Sequence, residues 1–320
     1  MKLGLKILVS GSLLAAVFAI VPWREMRDAA VALPPQVWGG VLLGFLAGHA
    51  LGIDKWRRFV NIGRAGLRSV DATLCYSAGL FANLCLPSIV GGDLLRMGLA
   101  GRITRRPEAA LWGGVMDRLT DTIALILLAA VGGVLARQQL TGWASTLLNA
   151  SLVVGLGIVG LAVPAAARRP LERWPRKVRR PIGRSLVAFR RLGRQPAVAA
   201  AGLAKSLTIQ GGFVLLNAWM GTHLGITVPL AVWLLTWPLA KIASLIPISL
   251  GGLAVREASL AAAMLPFGVP AARAIAASLL WQTVLIASGL LGGLVWLVLS
   301  RWRHLPMALG PTPPAASVTK

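Results

Sequence analysis

Nine ionisable residues interrupt apolar runs: Asp93, Arg96, Asp117, Arg118, Asp121, Lys205, Lys241, Arg256 and Glu257. At the centre of a membrane helix each costs roughly 2.5–3.5 kcal/mol on insertion scales, so such groups face a cavity or a partner. Helical periodicity puts Asp117 and Asp121 on one face, with Arg118 beside them. That cluster can close as an internal Arg118–Asp121 salt bridge, serve a ligand, or do both. Arg96 follows Gly92 by four residues, and Arg256 follows Gly252 by four. One turn into a helix start, an arginine joins free N–H groups and a positive dipole end, an ensemble suited to phosphate or carboxylate. The alternatives are a cytoplasmic snorkel for Arg96 and a carboxylate partner, Asp117 or Asp121, for Arg256. Glu257 is a partner for another cation or a proton-coupling site. Lys205 is placed to snorkel; Lys241 lies deeper and is a ligand candidate or half of a structural pair.

Other chemistries find little purchase. His49, His223 and His304 are far apart in sequence, form no metal-ligand spacing, and read as structural or interfacial. No metal site and no cofactor is expected. No phosphate-binding loop of the G-x-x-x-x-G-K-[ST] type occurs. Cys75 and Cys85 share one apolar run and read as packing residues. A net charge of +23 would suggest nucleic acid in a soluble protein. Here the basic residues sit in short loops between apolar runs, so nucleic acid is not the expected partner and membrane lipid is.

The elements that position these residues are membrane helices. The chain has 320 residues, 56% hydrophobic and 13% charged, where a soluble domain carries about 25% charge. Apolar runs at about 4–22, 35–51, 72–86, 108–135, 143–165, 197–220, 229–247 and 270–299 approach or exceed the roughly 18–20 residues of a span. The first is expected as an uncleaved helix rather than a signal peptide. Two shorter apolar pieces, about 88–100 and 251–266, follow prolines. The fold class is therefore all-α and polytopic, with about eight spans. Residues 1–305 are expected as one domain with halves at about 1–160 and 161–305. A Pro-rich tail, 306–320, is expected to be disordered.

A repeat organises the two halves. Residues 87–96 read P-S-I-V-G-G-D-L-L-R and residues 247–256 read P-I-S-L-G-G-L-A-V-R, offset by 160. Proline breaks a helix and paired glycines admit close backbone approach. Each copy is expected as a broken or re-entrant hairpin turning at Pro87, Ser88, Gly91 and Gly92, or at Pro247, Ser249, Gly251 and Gly252. Asn83, one turn before Pro87, can satisfy backbone freed by the break. Ser88 and Ser249 can cap the half-helices or donate to a ligand. Paired breaks in corresponding places of two halves point to a transporter binding site.

Basic residues set the orientation. One set of loops holds 24 of them, among these Lys2, Lys6, Lys55, Arg57, Arg58, Arg64 and Arg68; the opposite loops hold four, Arg24, Arg27, Arg137 and Arg273. The bias predicts cytoplasmic termini in a bacterial inner membrane, and it makes the two hairpins an inverted pair. Gly289, Gly292 and Gly293 suit close helix packing, within the chain or between chains of a homo-oligomer.

The stretches N-x-x-x-P-x-x-x-G-G-D-x-x-R at 83–96, D-R-x-x-D at 117–121 and I-P-I-S-x-G-G-L-x-V-R-E at 246–257 resemble the lysylphosphatidylglycerol synthase transmembrane family. The resemblance runs over about 5–300. Ala254 stands where that family often has glycine, and Asp93 where glutamate is common. The resemblance implies a flippase-like domain that binds or translocates an anionic or aminoacylated lipid. It points to Arg96, Arg118, Arg256 and Glu257 as headgroup contacts, alongside the candidates Asp93, Asp117, Asp121 and Lys241. Two-part members carry a soluble aminoacyl-transferase domain; this chain is expected as a free-standing member.

Three functions compete: a lipid carrier; a non-transporting accessory protein of a hopanoid or phospholipid pathway, with a synthesis enzyme as partner; and a membrane enzyme using Asp117, Asp121 or Glu257 as acid or base. The only long loop, 168–194, has one acid, Glu172, and no histidine, so the enzyme is the least favoured.

Overall fold

The computed structural model describes residues 31, 33–85, 89–137, 195–245 and 254–302. Among them every regular element is helical, apart from turns. The first half contains α1 (Pro35–Ile62), α2 (Ser69–Cys85), α3 (Ile89–Thr104) and α4 (Pro107–Leu135). The second contains α5 (Pro196–His223), α6 (Leu230–Ala243), α7 (Val255–Met264) and α8 (Ala271–Trp302), with a 3₁₀ turn, Leu265–Phe267, after α7. The expected spans 4–22 and 143–165 and the tail lie outside the described residues. So do Pro87, Ser88, Pro247, Ser249, Gly251 and Gly252.

Local chemistry sets the helix starts. α1, α4 and α5 each open on proline in the first turn, where the missing N–H has no intrahelical partner and the ring fixes φ near the helical value. α1, α4, α5 and α8 are long and apolar enough to cross a membrane. Their outward faces carry Leu43, Val134, Leu290 and Leu294, all more than half exposed, which is the surface lipid tails solvate. The chain is a polytopic helical membrane protein.

The 160-residue repeat reappears helix by helix. That shift carries Pro35 to the residue before α5, Ser69 to the residue before α6, and Thr104 onto Met264, the end of α7. The packing is reciprocal as well. α2 lies against α8 of the other half, and α6 lies against α4. At both contacts a glycine admits the neighbouring backbone, and the two glycines, Gly132 and Gly292, are themselves 160 apart. A Cβ on Gly132 would stand 2.4 Å from Leu235 N; one on Gly292 would stand 3.0 Å from Ser77 O. Gly289 and Gly293 likewise meet Leu84 and Phe81 of α2. The glycine face of α8 is thus used within the chain.

α2 packs along α3, and α6 along α7, as two hairpins. In the first, the glycine pair does not form the turn. α3 already begins at Ile89, so Gly91 and Gly92 occupy its first turn and Arg96 lies further along than one turn from the start. Close packing explains the glycine: a Cβ on Gly92 would lie 2.2 Å from Gly79 O and 2.3 Å from Asn83 Oδ1 on α2. In the second hairpin α7 starts at Val255, which puts Arg256 in its first turn. α6 and α7, at 14 and 10 residues, reach about 21 and 15 Å at 1.5 Å per residue, short of a bilayer's ~30 Å.

Candidate functional site

Three helices of the first half bring six charged side chains into one string. Arg118 on α4 donates to Asp93 on α3 at 2.5 Å. Asp93 also meets Arg96 at 3.0 Å. Arg96 donates to Asp117 at 2.7 Å. Asp117 meets Lys55 of α1 at 3.0 Å, and Lys55 donates to Asp121 at 2.5 Å and to Ser206 Oγ of α5 at 2.9 Å. The order is Arg118, Asp93, Arg96, Asp117, Lys55, Asp121, so the charges alternate and cancel. Lys55, Asp93, Arg96 and Asp117 are buried. Buried ions persist only when paired this closely, because desolvation costs several kcal/mol per ion.

Two expectations change here. Lys55, counted among loop residues that set orientation, is 2% exposed inside α1. Its sequence neighbours Arg57 and Arg58 made the segment read as a loop, while two carboxylates of α4 draw its ammonium into the bundle. The internal Arg118–Asp121 pair does not form either. Arg118 turns to Asp93 across the α3–α4 contact, and Asp121 is taken by Lys55.

The string walls a cavity of about 140 Å³ lined also by His49, Tyr76, Asn83, Gln210, Phe213 and Lys241. Liquid water occupies about 30 Å³ per molecule, so the space admits a phosphate-sized group and not a whole lipid. Asp117 lies ten residues into α4 and Lys241 eleven into α6, about 15 and about 16.5 Å along those helices, so both sit well inside the helical bundle.

Aromatic rings brace the cations. The Arg96 guanidinium lies 4.8 Å from the Tyr76 ring and 5.2 Å from that of Trp56. Lys241 Nζ lies 5.2 Å from Phe213 and donates to Gln210 Oε1 at 2.8 Å. His49, read from sequence as structural or interfacial, stands in the cavity wall. It packs edge-on to Phe45 at 4.5 Å, with Nδ1 3.3 Å from the Tyr76 hydroxyl. Nothing in its spacing from other polar residues signalled that position; the fold alone brings it there. Asn83 Oδ1 accepts from Gly92 N at 3.1 Å, so one first-turn N–H of α3 is already taken.

Arg256 and Glu257 do not line this cavity. Arg256 donates to Glu257 Oε1 at 2.7 Å, to Ser278 Oγ at 2.9 Å and to Gln282 Oε1 at 3.1 Å. Neither Asp117 nor Asp121 is its partner. The cluster is the counterpart of Arg96 against α4: in each half the repeat arginine reaches the last described helix of its own half. Lys205, placed by sequence as a snorkel, pairs with Asp54 of α1.

Fold and site together define a polytopic helical membrane protein with a charged cavity between two repeated halves. The family model described as the lysylphosphatidylglycerol synthase TM region matches residues 4–305, and the chain belongs to that family. No curated protein and no solved structure matches the chain.

Proposed function

We propose that the chain is a lipid carrier of the flippase-like kind, taking an anionic or phosphate-bearing headgroup into the cavity between its halves. One observation carries this reading: ionised groups from both halves converge on a cavity well inside the helical bundle, which a purely structural bundle has no need to keep. The reciprocal hairpin packing supports two halves that can rock about the cavity, the usual basis of alternating access. The excess of basic residues in one set of loops supports cytoplasmic termini in a bacterial inner membrane and recruitment of anionic lipid to that face.

The test is scrambling of fluorescent phosphatidylglycerol in proteoliposomes, with wild type compared against empty vesicles and Arg118→Gln. The Arg118 side chain is 44% exposed and its partner Asp93 keeps Arg96, so the variant is expected to fold. Wild type is expected to speed bleaching by an external reductant, and Arg118→Gln to slow it again. No acceleration by wild type with phosphatidylglycerol or polyprenyl phosphate would replace this reading with that of a non-transporting lipid-binding or accessory protein.

A further inference from the structure

The six-membered string is electrically complete, with three cations each held by a carboxylate and three carboxylates each held by a cation. Lys241 is different. It lines the same cavity, but among the described residues its contacts are neutral: the Gln210 amide oxygen and the Phe213 ring. The string comes from the first half, and Lys241, with Gln210 and Phe213, from the second. Among the described residues, the space between the halves therefore carries one uncancelled positive charge.

Two residues that line this cavity each hold a buried nitrogen without a hydrogen-bond partner among the described residues: Arg96 Nε and His49 Nε2. Nδ1 of His49 lies 3.3 Å from the Tyr76 hydroxyl, and in the tautomer in which that hydroxyl donates the ring proton sits on Nε2. Among the described residues the cavity wall thus offers one net positive charge, with Lys241 Nζ as its donor and Arg96 and His49 beside it. Every carboxylate described in that wall already faces a cation: even Asp117 Oδ1, which accepts no hydrogen bond among the described residues, lies 3.0 Å from Lys55 Nζ.

We propose that the cavity selects a lipid headgroup with one net negative charge, a phosphodiester without a compensating amine, and that Lys241 is the residue that sets this preference. The phosphodiester oxygens accept from Lys241 Nζ, with Arg96 and His49 in the surrounding wall. A zwitterionic or aminoacylated headgroup brings an ammonium that finds each described carboxylate of the cavity already paired with a cation. A phosphomonoester brings a second charge with no second free cation among the described residues to meet it.

This inference rests on the headgroup-binding part of the function above and not on transport, so binding is what should be measured. The purified full chain in detergent is titrated with short-chain phosphatidylglycerol, phosphatidylethanolamine, lysylphosphatidylglycerol, phosphatidic acid and inorganic phosphate, following intrinsic tryptophan fluorescence. Phosphatidylglycerol should bind about tenfold or more tightly than each of the others, the difference expected for one charge-assisted hydrogen-bonded contact. Lys241→Met should abolish the preference over phosphatidylethanolamine, and Lys241→Arg should keep it. Equal affinities for phosphatidylglycerol and phosphatidylethanolamine in wild type would overturn the proposal, and that comparison needs no variant. Inorganic phosphate binding as tightly as the lipid would overturn it too, by showing a site for the free anion. Selective binding without scrambling would support it while removing the carrier reading. Scrambling without selective binding would do the reverse.

Discussion

Asp54 of α1 forms an ion pair with Lys205 of α5, and the next residue along each helix repeats the link: Lys55 Nζ donates to Ser206 Oγ at 2.9 Å. These helices are counterparts in the repeat, so the paired links tie one half to the other beside the cavity. Their surroundings differ sharply. The Asp54 and Lys205 side chains are 34% and 25% exposed, while that of Lys55 is 1% exposed.

Neighbouring residues should therefore respond differently to truncation. A partly exposed ion pair contributes about 0–1 kcal/mol. Removing one partner of a buried pair costs about 3–5 kcal/mol, because it strands the opposite charge. Asp54→Ala should leave thermal unfolding in detergent nearly unchanged, and Lys55→Met should lower its midpoint strongly. If Asp54→Ala proves the more damaging, the inter-half link and not the buried string carries the stability.

The loss in Lys55→Met is specific and should be repairable. It leaves Asp117 with Arg96 but strands Asp121, whose hydrogen-bonded cation is gone. Adding Asp121→Asn removes the stranded charge, so the double variant should unfold at a higher temperature than Lys55→Met alone. Strictly additive losses would mean that Lys55 and Asp121 do not act on each other.

Much of the fold was legible in the sequence because membrane helices announce themselves by length and hydropathy. The expected run 108–135 became α4 at Pro107–Leu135, and 197–220 became α5 at Pro196–His223. Proline marks both starts. The short piece 251–266 became α7 and its 3₁₀ turn, and the repeat that flagged it recurs in the packing. The pairing of the site was less legible. Asp117 and Asp121 share a face, as helical periodicity requires, but periodicity does not say which helix brings the cation. Lys55 looked topogenic beside Arg57 and Arg58, and it is α1 packing on α4 that makes it a site residue. Arg118 had an acid three residues away and took another across a helix contact. Arg256 had both α4 carboxylates as candidates and took its own neighbour, because α7 packs on α8 and Ser278 and Gln282 complete the cradle.

The first hairpin offers a sharp contrast between two glycines of one helix. A methyl on Gly92 would run into Gly79 O at 2.2 Å and Asn83 Oδ1 at 2.3 Å, whereas a methyl on Gly98 meets nothing within 4 Å. Gly92→Ala must push α2 from α3 and break the Asn83 bond, costing about 1–3 kcal/mol as overpacking does. Gly98→Ala should be neutral or stabilise by up to about 1 kcal/mol through helix propensity. The two melting curves decide it: equal shifts would mean that α2 and α3 are not held this closely.

Ala254 offers a gain. It immediately precedes α7 with φ +68° and ψ −36°, a backbone region that glycine enters freely and L-residues avoid. Holding an L-residue in left-handed backbone costs roughly 1–2 kcal/mol. Against that stands the buried methyl, since Ala254 is 0% exposed. In water burying a methyl would return about 0.8 kcal/mol, but in a bilayer the alternative surroundings are lipid tails, which are as apolar as the protein interior. The strain term therefore wins, and Ala254→Gly should stabilise the chain by about 1 kcal/mol, raising the unfolding midpoint by about 2 °C. The second hairpin would then carry the glycine that the family often has at this place. A lower midpoint in Ala254→Gly would mean that the methyl is held by packing strong enough to outweigh the strain, and that the turn into α7 is built around alanine.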